Sequence, residues 1–442
     1  MKRIVTVFLF LFSLLTAFAQ DIVYVSVQGD NKISVYSQNT TDGSLTKVED
    51  VAVSGGPASI AISRNKKYLY VSQRSNKTFS SYSINQTTGA LTLINTITAL
   101  DNPVNIATDN TGEYLLSAYY GASKAAVYKI NTVTGALIAG ALSSFTTAGI
   151  NPHAIKVDPS NQYVFISNMT GNRIQQFTFD VNTGTLTANT PAVIIPTDSI
   201  GPRHFVYHGT KNLVYFSNEI LNRVSVYSLN TSTGLLTLQQ ELSTLPNGYV
   251  QTTGVDKAAD IHITADNKFL YVSNRGTNTL AAFSVDATTG LLTAIDYFAT
   301  QTSPRAFDID GSGSFVYAAG ESTGNMDCFS INKTTGALNL IATYPVGSNP
   351  SWVRCLSFTQ TPTIVCLDLI SIAISSLPTT DTYSLVLYNQ SGTTQIKVLA
   401  EGIFNAGDSN FCFHKGSLPP ATYQYRLLSG ATIIKQGEVV IN

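Results

Sequence analysis

Four arginines, three histidines and two glutamates stand out in this chain for their types and spacing. Arg203 precedes Glu219 by the same 16 residues that separate Arg305 from Glu321, and Arg74 and Arg275 fall at the position of those glutamates in other copies of one repeat. Arginine grips carboxylate or phosphate through two parallel hydrogen bonds, and can stabilise an oxyanion as it develops. A nearby carboxylate or imidazole can take a proton from water. Together these types suit chemistry on an anionic or carbonyl substrate.

The repeat must position them. A Thr/Asn-rich stretch ending in Gly and then a small or polar residue and Leu, or directly in Leu, recurs at Gly43, Gly89, Gly135, Gly184, Gly234, Gly290 and Gly336, at intervals of 46, 46, 49, 50, 56 and 46 residues. Seven copies at this period mark a repeat architecture. Each unit reads as four short strands. A proline-led strand (Pro152–Val157 in one copy) is followed by a polar turn at 158–161, an aromatic and β-branched strand (Tyr163–Asn168), a third strand (Ile174–Phe179), and a Gly turn into a fourth. Glycine supplies the positive φ of tight hairpins. Four antiparallel strands, seven times over, predict an all-β fold: a seven-bladed β-propeller. The first unit starts at its second strand, Ile22–Ser26, and the missing first strand stands at the far end, Asn349–Arg354, so a C-terminal strand should close the ring.

Aligned on the end of the second strand, the units give one column of Val27, Gln73, Tyr119, Asn168, Asn218, Asn274 and Gly320. The next column is Gln28, Arg74, Tyr120, Met169, Glu219, Arg275 and Glu321. The position after the proline holds Ala58, Val104, His153, Arg203, Ala259, Arg305 and Ser351. The start of one antiparallel strand lies beside the end of its neighbour, so these columns should meet at one end of the central channel. Four of the ten arginines are there, and His153, His204 and His262 lie on first strands. Convergent charge at a concave mouth is the usual form of a ligand site. We expect His153, Arg203, Glu219 and Arg275 to do chemistry, and His204, Arg305, Asn218, Asn274, Glu321 and Arg74 to bind substrate. Inter-blade salt bridges are the structural alternative.

Several classes are excluded. Charged residues are 12% of the chain and the formal net charge is −1, so no basic surface for nucleic acid is expected. With 22 Tyr and 21 Phe the chain is not a disordered one. No Gly-x-Ser-x-Gly elbow and no His-Glu-x-x-His is present. Asp308-Ile309-Asp310-Gly311-Ser312-Gly313 hints at a calcium loop, but it aligns with the turn at Asp158 and lacks the later Glu, so it reads as a turn. No metal and no cofactor is expected.

Gly201-Pro202-Arg203-His204-Phe205-Val206-Tyr207-His208, followed by Val214-Tyr215-Phe216-Ser217-Asn218-Glu219, resembles the hallmark of the seven-bladed propeller lactonases, which include 6-phosphogluconolactonases and relatives of carboxymuconate cyclases. Asp260-Ile261-His262-Ile263 with Ser273-Asn274-Arg275-Gly276, Ser303-Pro304-Arg305, and Asn151-Pro152-His153-Ala154 match further family motifs over about residues 22–358. The resemblance implies that Arg203 and Arg275 hold an acid group and polarise a lactone carbonyl, while Glu219 or His153 activates water. The chain departs from the family at Ala306 and at Thr277-Asn278, where the family often has His and His-Asp. A small anionic or lactone ligand is the expected partner, the protein a monomer. A non-catalytic surface propeller, used in binding or adhesion, is the rival.

Lys2, Arg3 and the apolar run from Ile4 to Phe18, ending in Ala17-Phe18-Ala19, form a signal peptide over residues 1–19. The run is too short to span a membrane. No Cys precedes Cys328, so an exported protein without a lipid anchor is expected, periplasmic or secreted. The propeller would occupy 20–358, a linker 359–363, and a β-sandwich-like domain 364–442. Leu418–Leu427 of that last domain faintly resembles a secretion sorting domain. Cys328, Cys355, Cys366 and Cys412 allow three disulfide pairings or free thiols.

Overall fold

The computed structural model describes residues 21–147, 150–252, 254–358, 369–373, 381–404, 410–414, 421–429 and 432–441. The expected signal peptide and linker lie outside the described residues, as does Cys366. Among the described residues, seven four-stranded sheets run in sequence from Asp21 to Leu356, each antiparallel throughout. Blade 4 is typical: Pro152–Val157 lines the channel, followed outward by Tyr163–Asn168, Arg173–Asp180 and Thr185–Ile194.

Closure is as expected. Pro350–Leu356 pairs antiparallel with Asp21–Val27, with Ile22 opposite Leu356 and Val25 opposite Val353, so the two ends of the array share blade 1. Blade 3 departs from the pattern. After its Gly135 turn only an isolated bridge, Ile130 to Leu137, forms, and the outer strand waits until Ser143–Thr146.

The repeated glycine explains the period. All seven have φ between 69° and 75°, a region that a residue with a Cβ enters only with strain. Each also lies against the second strand of the preceding blade. A Cβ on Gly234 would fall 2.0 Å from Tyr163 Cδ1, and one on Gly135 2.2 Å from Tyr68 Cδ1. The glycine carbonyl takes a hydroxyl from the same strand in several blades: Tyr24 to Gly89 at 2.8 Å, Tyr271 to Gly336 at 2.8 Å, and Tyr317 to Gly43 at 2.7 Å across the ring closure. Four residues before each glycine, an Asn or Asp side chain accepts the N–H two residues on, as Asn39, Asn230 and Asp286 do. The Asn/Thr-rich text is therefore turn chemistry. Between blades the core is apolar, for example Tyr215, Val226, Ile261, Val272 and Phe283 between blades 5 and 6.

Past the propeller, Asp381–Tyr388, Gln395–Phe404, Ala421–Ser429 and Thr432–Ile441 form one four-stranded sheet, and Leu369–Ala373 pairs with Asn410–His414 in another. Cys328 and Cys355 are free thiols. Burial pushes the Cys328 thiol up to about 12 and raises that of Cys355 well above its ordinary value, so both are inert packing groups. Asp310 accepts from Ser312 Oγ and from the N–H groups of Ser314 and Phe315, as Asp158 does from Ser160, Gln162 and Tyr163, which fits a plain turn.

Candidate active site

In every proline-led inner strand but that of blade 3, the residue after the proline is placed by a β-bulge. Pro152 pairs with Asn168, yet Ala154 pairs with Ser167, leaving His153 as the extra residue. Pro304 and Ala306 bracket Arg305 in the same way. In blade 5 Pro202 pairs with Asn218 and Phe205 with Phe216, so Arg203 and His204 share the bulge. In blade 6 Ala259 and Asp260 do. Bulges bend a strand and re-aim its side chains, here into the channel. The serine of the second strand fixes them. Ser217 Oγ accepts the His204 N–H at 3.2 Å and donates to Ala259 O of the next blade at 2.8 Å. Ser167 Oγ donates to Arg203 O, and Ser273 Oγ accepts the Asp260 N–H at 2.9 Å.

These side chains meet. Ala58, Arg74, Val104, His153, Arg203, His204, Arg305, Ser351 and Trp352 line one depression of about 310 Å³ of empty space, open solvent included. Glu219 bridges two arginines, with Oε2 2.8 Å from Arg203 Nε and Oε1 2.8 Å from Arg275 Nη2. Arg305 Nη1 is 3.6 Å from Glu321 Oε1, and Arg74 Nε donates to Asn102 Oδ1 at 3.0 Å. The rings of His153 and His204 lie 5.1 Å apart, flanked by Tyr120 and Trp352. The expected charged set thus converges, while the two expected asparagines lie deeper. Asn218 and Asn274 are fully buried. Asn218 Nδ2 donates to Ser225 Oγ at 2.6 Å, and Asn274 is bound to the hydroxyl and carbonyl of Thr244 at 2.8 and 2.7 Å. Asn218 thus ties two strands of its own blade, leaving its Oδ1 without a partner among the described residues, and Asn274 ties blade 6 to blade 5.

Burial and charge set the protonation states. Arg203 is 1% exposed. Burial and the neighbouring Arg275 pull its pKa down to about 9, opposed by Glu219, so it stays charged at neutral pH. Burial alone would raise the Glu219 carboxyl, but Arg203 and Arg275 outweigh it and hold the group below its ordinary range. Burial, then Arg203 and its neighbours, drives His153 well below the usual imidazole value, and burial with Arg203 takes His204 to about 3. Both imidazoles are neutral at pH 7. Arg203 Nη1, Arg275 Nε, His153 Nδ1 and His204 Nε2 are buried with no hydrogen-bond partner among the described residues. Orphaned buried polar groups are costly. Four at one mouth are spare capacity for a ligand.

A further charged layer, which column alignment at the mouth did not reach, lies four residues after the start of the inner strands: Lys156, His262, Asp308 and Arg354. Asp260 and Trp352, the one Trp of the chain, fall at the position of His204 in their own strands, and that shared position is the signal that could have found them. No group of three or more His, Cys, Asp or Glu suited to a metal occurs among the described residues.

A ring of seven four-stranded blades thus carries convergent, buried polar groups at one channel mouth. The chain belongs to the seven-bladed β-propeller lactonase family, whose model ("Lactonase, 7-bladed beta-propeller") matches residues 23–355. A 6-phosphogluconolactonase of Serratia proteamaculans is 33% identical over 206 residues, 47% of this chain and 61% of that protein. One of Yersinia pestis is 31% identical over 202 residues, 46% of this chain and 59% of that protein. The chain thus spans about three-fifths of the length of these curated relatives. Among solved structures, the periplasmic gluconolactonase of Pseudomonas aeruginosa aligns with a TM-score of 0.71 at 23% identity, over 77% of this chain and 99% of that one, a likeness of fold. A protein from Lactobacillus plantarum aligns with a TM-score of 0.69 at 25% identity, over 77% of this chain and 100% of that one.

Proposed function

We propose that this protein hydrolyses a lactone bearing an acid group, at the mouth of the propeller channel. The observation that carries this is the set of unspent buried atoms on Arg203, His153 and His204, which line one depression, and on Arg275, joined to Arg203 through Glu219. The two guanidiniums can accept both the acid group of the substrate and the charge that develops on its carbonyl oxygen, while Glu219 holds them in register. His153 is neutral and offers Nδ1 to the reacting groups. Arg305, Glu321 and Arg74 frame the opposite side of the mouth, where they can contact the rest of the substrate. A binding propeller for adhesion gains nothing from charge desolvated this deeply, so catalysis is the better account.

The same proposal places the propeller at residues 20–358, an accessory β domain at 364–442, and the mature protein outside the cytoplasm as a monomer. No helix among the described residues is long and apolar enough to cross a membrane. A protein exported in this way would meet a lactone other than a cytosolic phosphorylated one, and the name of the Pseudomonas aeruginosa neighbour, a periplasmic gluconolactonase, supports a non-phosphorylated lactone, while the acid group is argued from Arg203 and Arg275 alone.

The test is turnover of a panel of aldonolactones, with and without a carboxylate or phosphate, by the wild type and by Arg203→Ala. Turnover that favours the acidic lactones and falls at least 100-fold in the variant is expected. No turnover of any lactone, or equal turnover by the variant, would sink the proposal.

A further inference from the structure

A chain of buried ionisable groups leads inward from the mouth. His204 Nδ1 lies 2.7 Å from Asp260 Oδ1, Asp260 Oδ2 3.3 Å from His262 Nε2, His262 Nδ1 3.1 Å from Asp308 Oδ1, and Asp308 Oδ2 3.4 Å from Arg354 Nη1. Blades 5, 6, 7 and 1 each contribute a member. At the mouth end His204 Nε2 has no partner among the described residues, and His204 lines the depression. With a carboxylate fixed against Nδ1, the ring proton sits on Nδ1 and the lone pair on Nε2, the buried, unpartnered nitrogen of a ring that lines the depression. A carboxylate that fixes the tautomer of a neutral imidazole is the arrangement of a general base.

We propose that His204, oriented by Asp260, is the general base of lactone hydrolysis, and that the acid group of the substrate switches its basicity on by occupying Arg203 and Arg275. This rests on the lactonase function proposed above. Water would give a proton to Nε2 as its oxygen forms the new bond to the carbonyl carbon, leaving a tetrahedral oxyanion against the arginines. When the ring C–O bond breaks, the proton on Nε2 passes to the departing ring oxygen. The product is the open hydroxy acid, and the base is restored.

The surroundings explain both the choice of residue and the switch. His204 faces Arg203 on its own strand, His153 and Lys156 of blade 4, Asp260 of blade 6 and Trp352 of blade 1. In the free protein the Arg203 charge and burial keep its imidazole from accepting a proton, and Asp260 offsets them only in part. An anion on Arg203 cancels much of that field. Glu219 is a poorer candidate, since both arginines already resist its protonation. His153 has no orienting carboxylate, and Arg203, Arg305 and Arg275 all oppose its charging. His262 is held as an imidazolium between Asp260 and Asp308. It keeps Asp260 ionised, so the proton taken up by His204 stays on the imidazole.

The experiment measures pH profiles on the acidic lactone turned over fastest, for the wild type, His204→Gln and Asp260→Asn. The acid limb of kcat/KM reports the free protein and that of kcat the complex. The kcat limb should lie at least one pH unit higher. His204→Gln should lose about 100-fold or more in kcat with KM within threefold, Asp260→Asn about 10-fold, and added imidazole should restore part of the activity of His204→Ala. Coincident wild-type limbs, or kcat within threefold of wild type in His204→Gln, overturn the proposal while leaving lactone hydrolysis standing. Should His204→Gln fail to fold, the wild-type limbs decide alone. No turnover by the wild type removes lactone hydrolysis itself, and the base with it.

Discussion

Glu219 lies 2.8 Å from Arg203, a guanidinium 1% exposed and brought to the channel by a bulge on the neighbouring strand. The pair is desolvated on both sides, so each partner depends on the other to stay charged. Removing one partner of such a pair leaves a bare buried charge, which is far costlier than losing an exposed salt bridge.

Arg203→Ala should lower kcat/KM on an acidic lactone by about 10²–10³-fold, the usual loss for one oxyanion-stabilising donor. Arg203→Lys should recover little of it, because an ammonium cannot present two parallel N–H groups. Steady-state kinetics on both variants checks this.

Glu219→Gln should destabilise the fold by about 3 kcal/mol near neutral pH. The wild-type carboxyl is held below its ordinary value of 4.5. Its contribution is therefore complete above that value and is lost as pH falls through the folded-state value. Melting temperatures of wild type and variant should converge as the pH drops below 4.5.

His262 has the opposite sign. Burial lowers its pKa, but Asp308 and Asp260 outweigh burial and raise it from 6.5 to about 9. Its contribution is complete below 6.5 and fades as pH rises through about 9, and the shift corresponds to about 3 kcal/mol. Denaturant melts of wild type and His262→Gln should differ most at pH 6 and least at pH 10.

Gly234→Ala should cost about 2–4 kcal/mol, combining left-handed backbone strain with overpacking against Tyr163. The activity of the folded fraction should stay within twofold of wild type, because this turn lies at the end of blade 5 opposite the mouth. Urea unfolding and active-site titration separate the two effects.

Much of this was legible in the sequence. The Gly period gave the blades because a positive φ and a close approach at each joint admit no other residue. The column after the proline gave His153, Arg203 and Arg305 because a bulge recurs there. The depth of Asn218 and Asn274 was not legible, because a strand-end position can face the mouth or the interior of the blade, and sequence does not say which. Their serine and threonine partners turn them inward. The charged layer of Lys156, Asp308 and Arg354 was not recognised because its members act on groups of other blades, Lys156 on Asp260 two blades on and Asp308 on Arg354 across the ring closure. The delayed outer strand of blade 3 carries no marker in the spacing, since the 49-residue interval after Gly135 is shorter than the two that follow it.

The hydroxyl-to-glycine contacts recur from joint to joint, and the one at the seam, Tyr317 to Gly43, matches that of Tyr271 to Gly336 within 0.1 Å, at 2.7 against 2.8 Å. They sit at the far end of the blades from the ionisable mouth. The glycine joints and the ionisable mouth are thus written on opposite faces of the ring. A change at the mouth leaves those joints untouched, which gives this scaffold a second set of ties between blades while the first is altered.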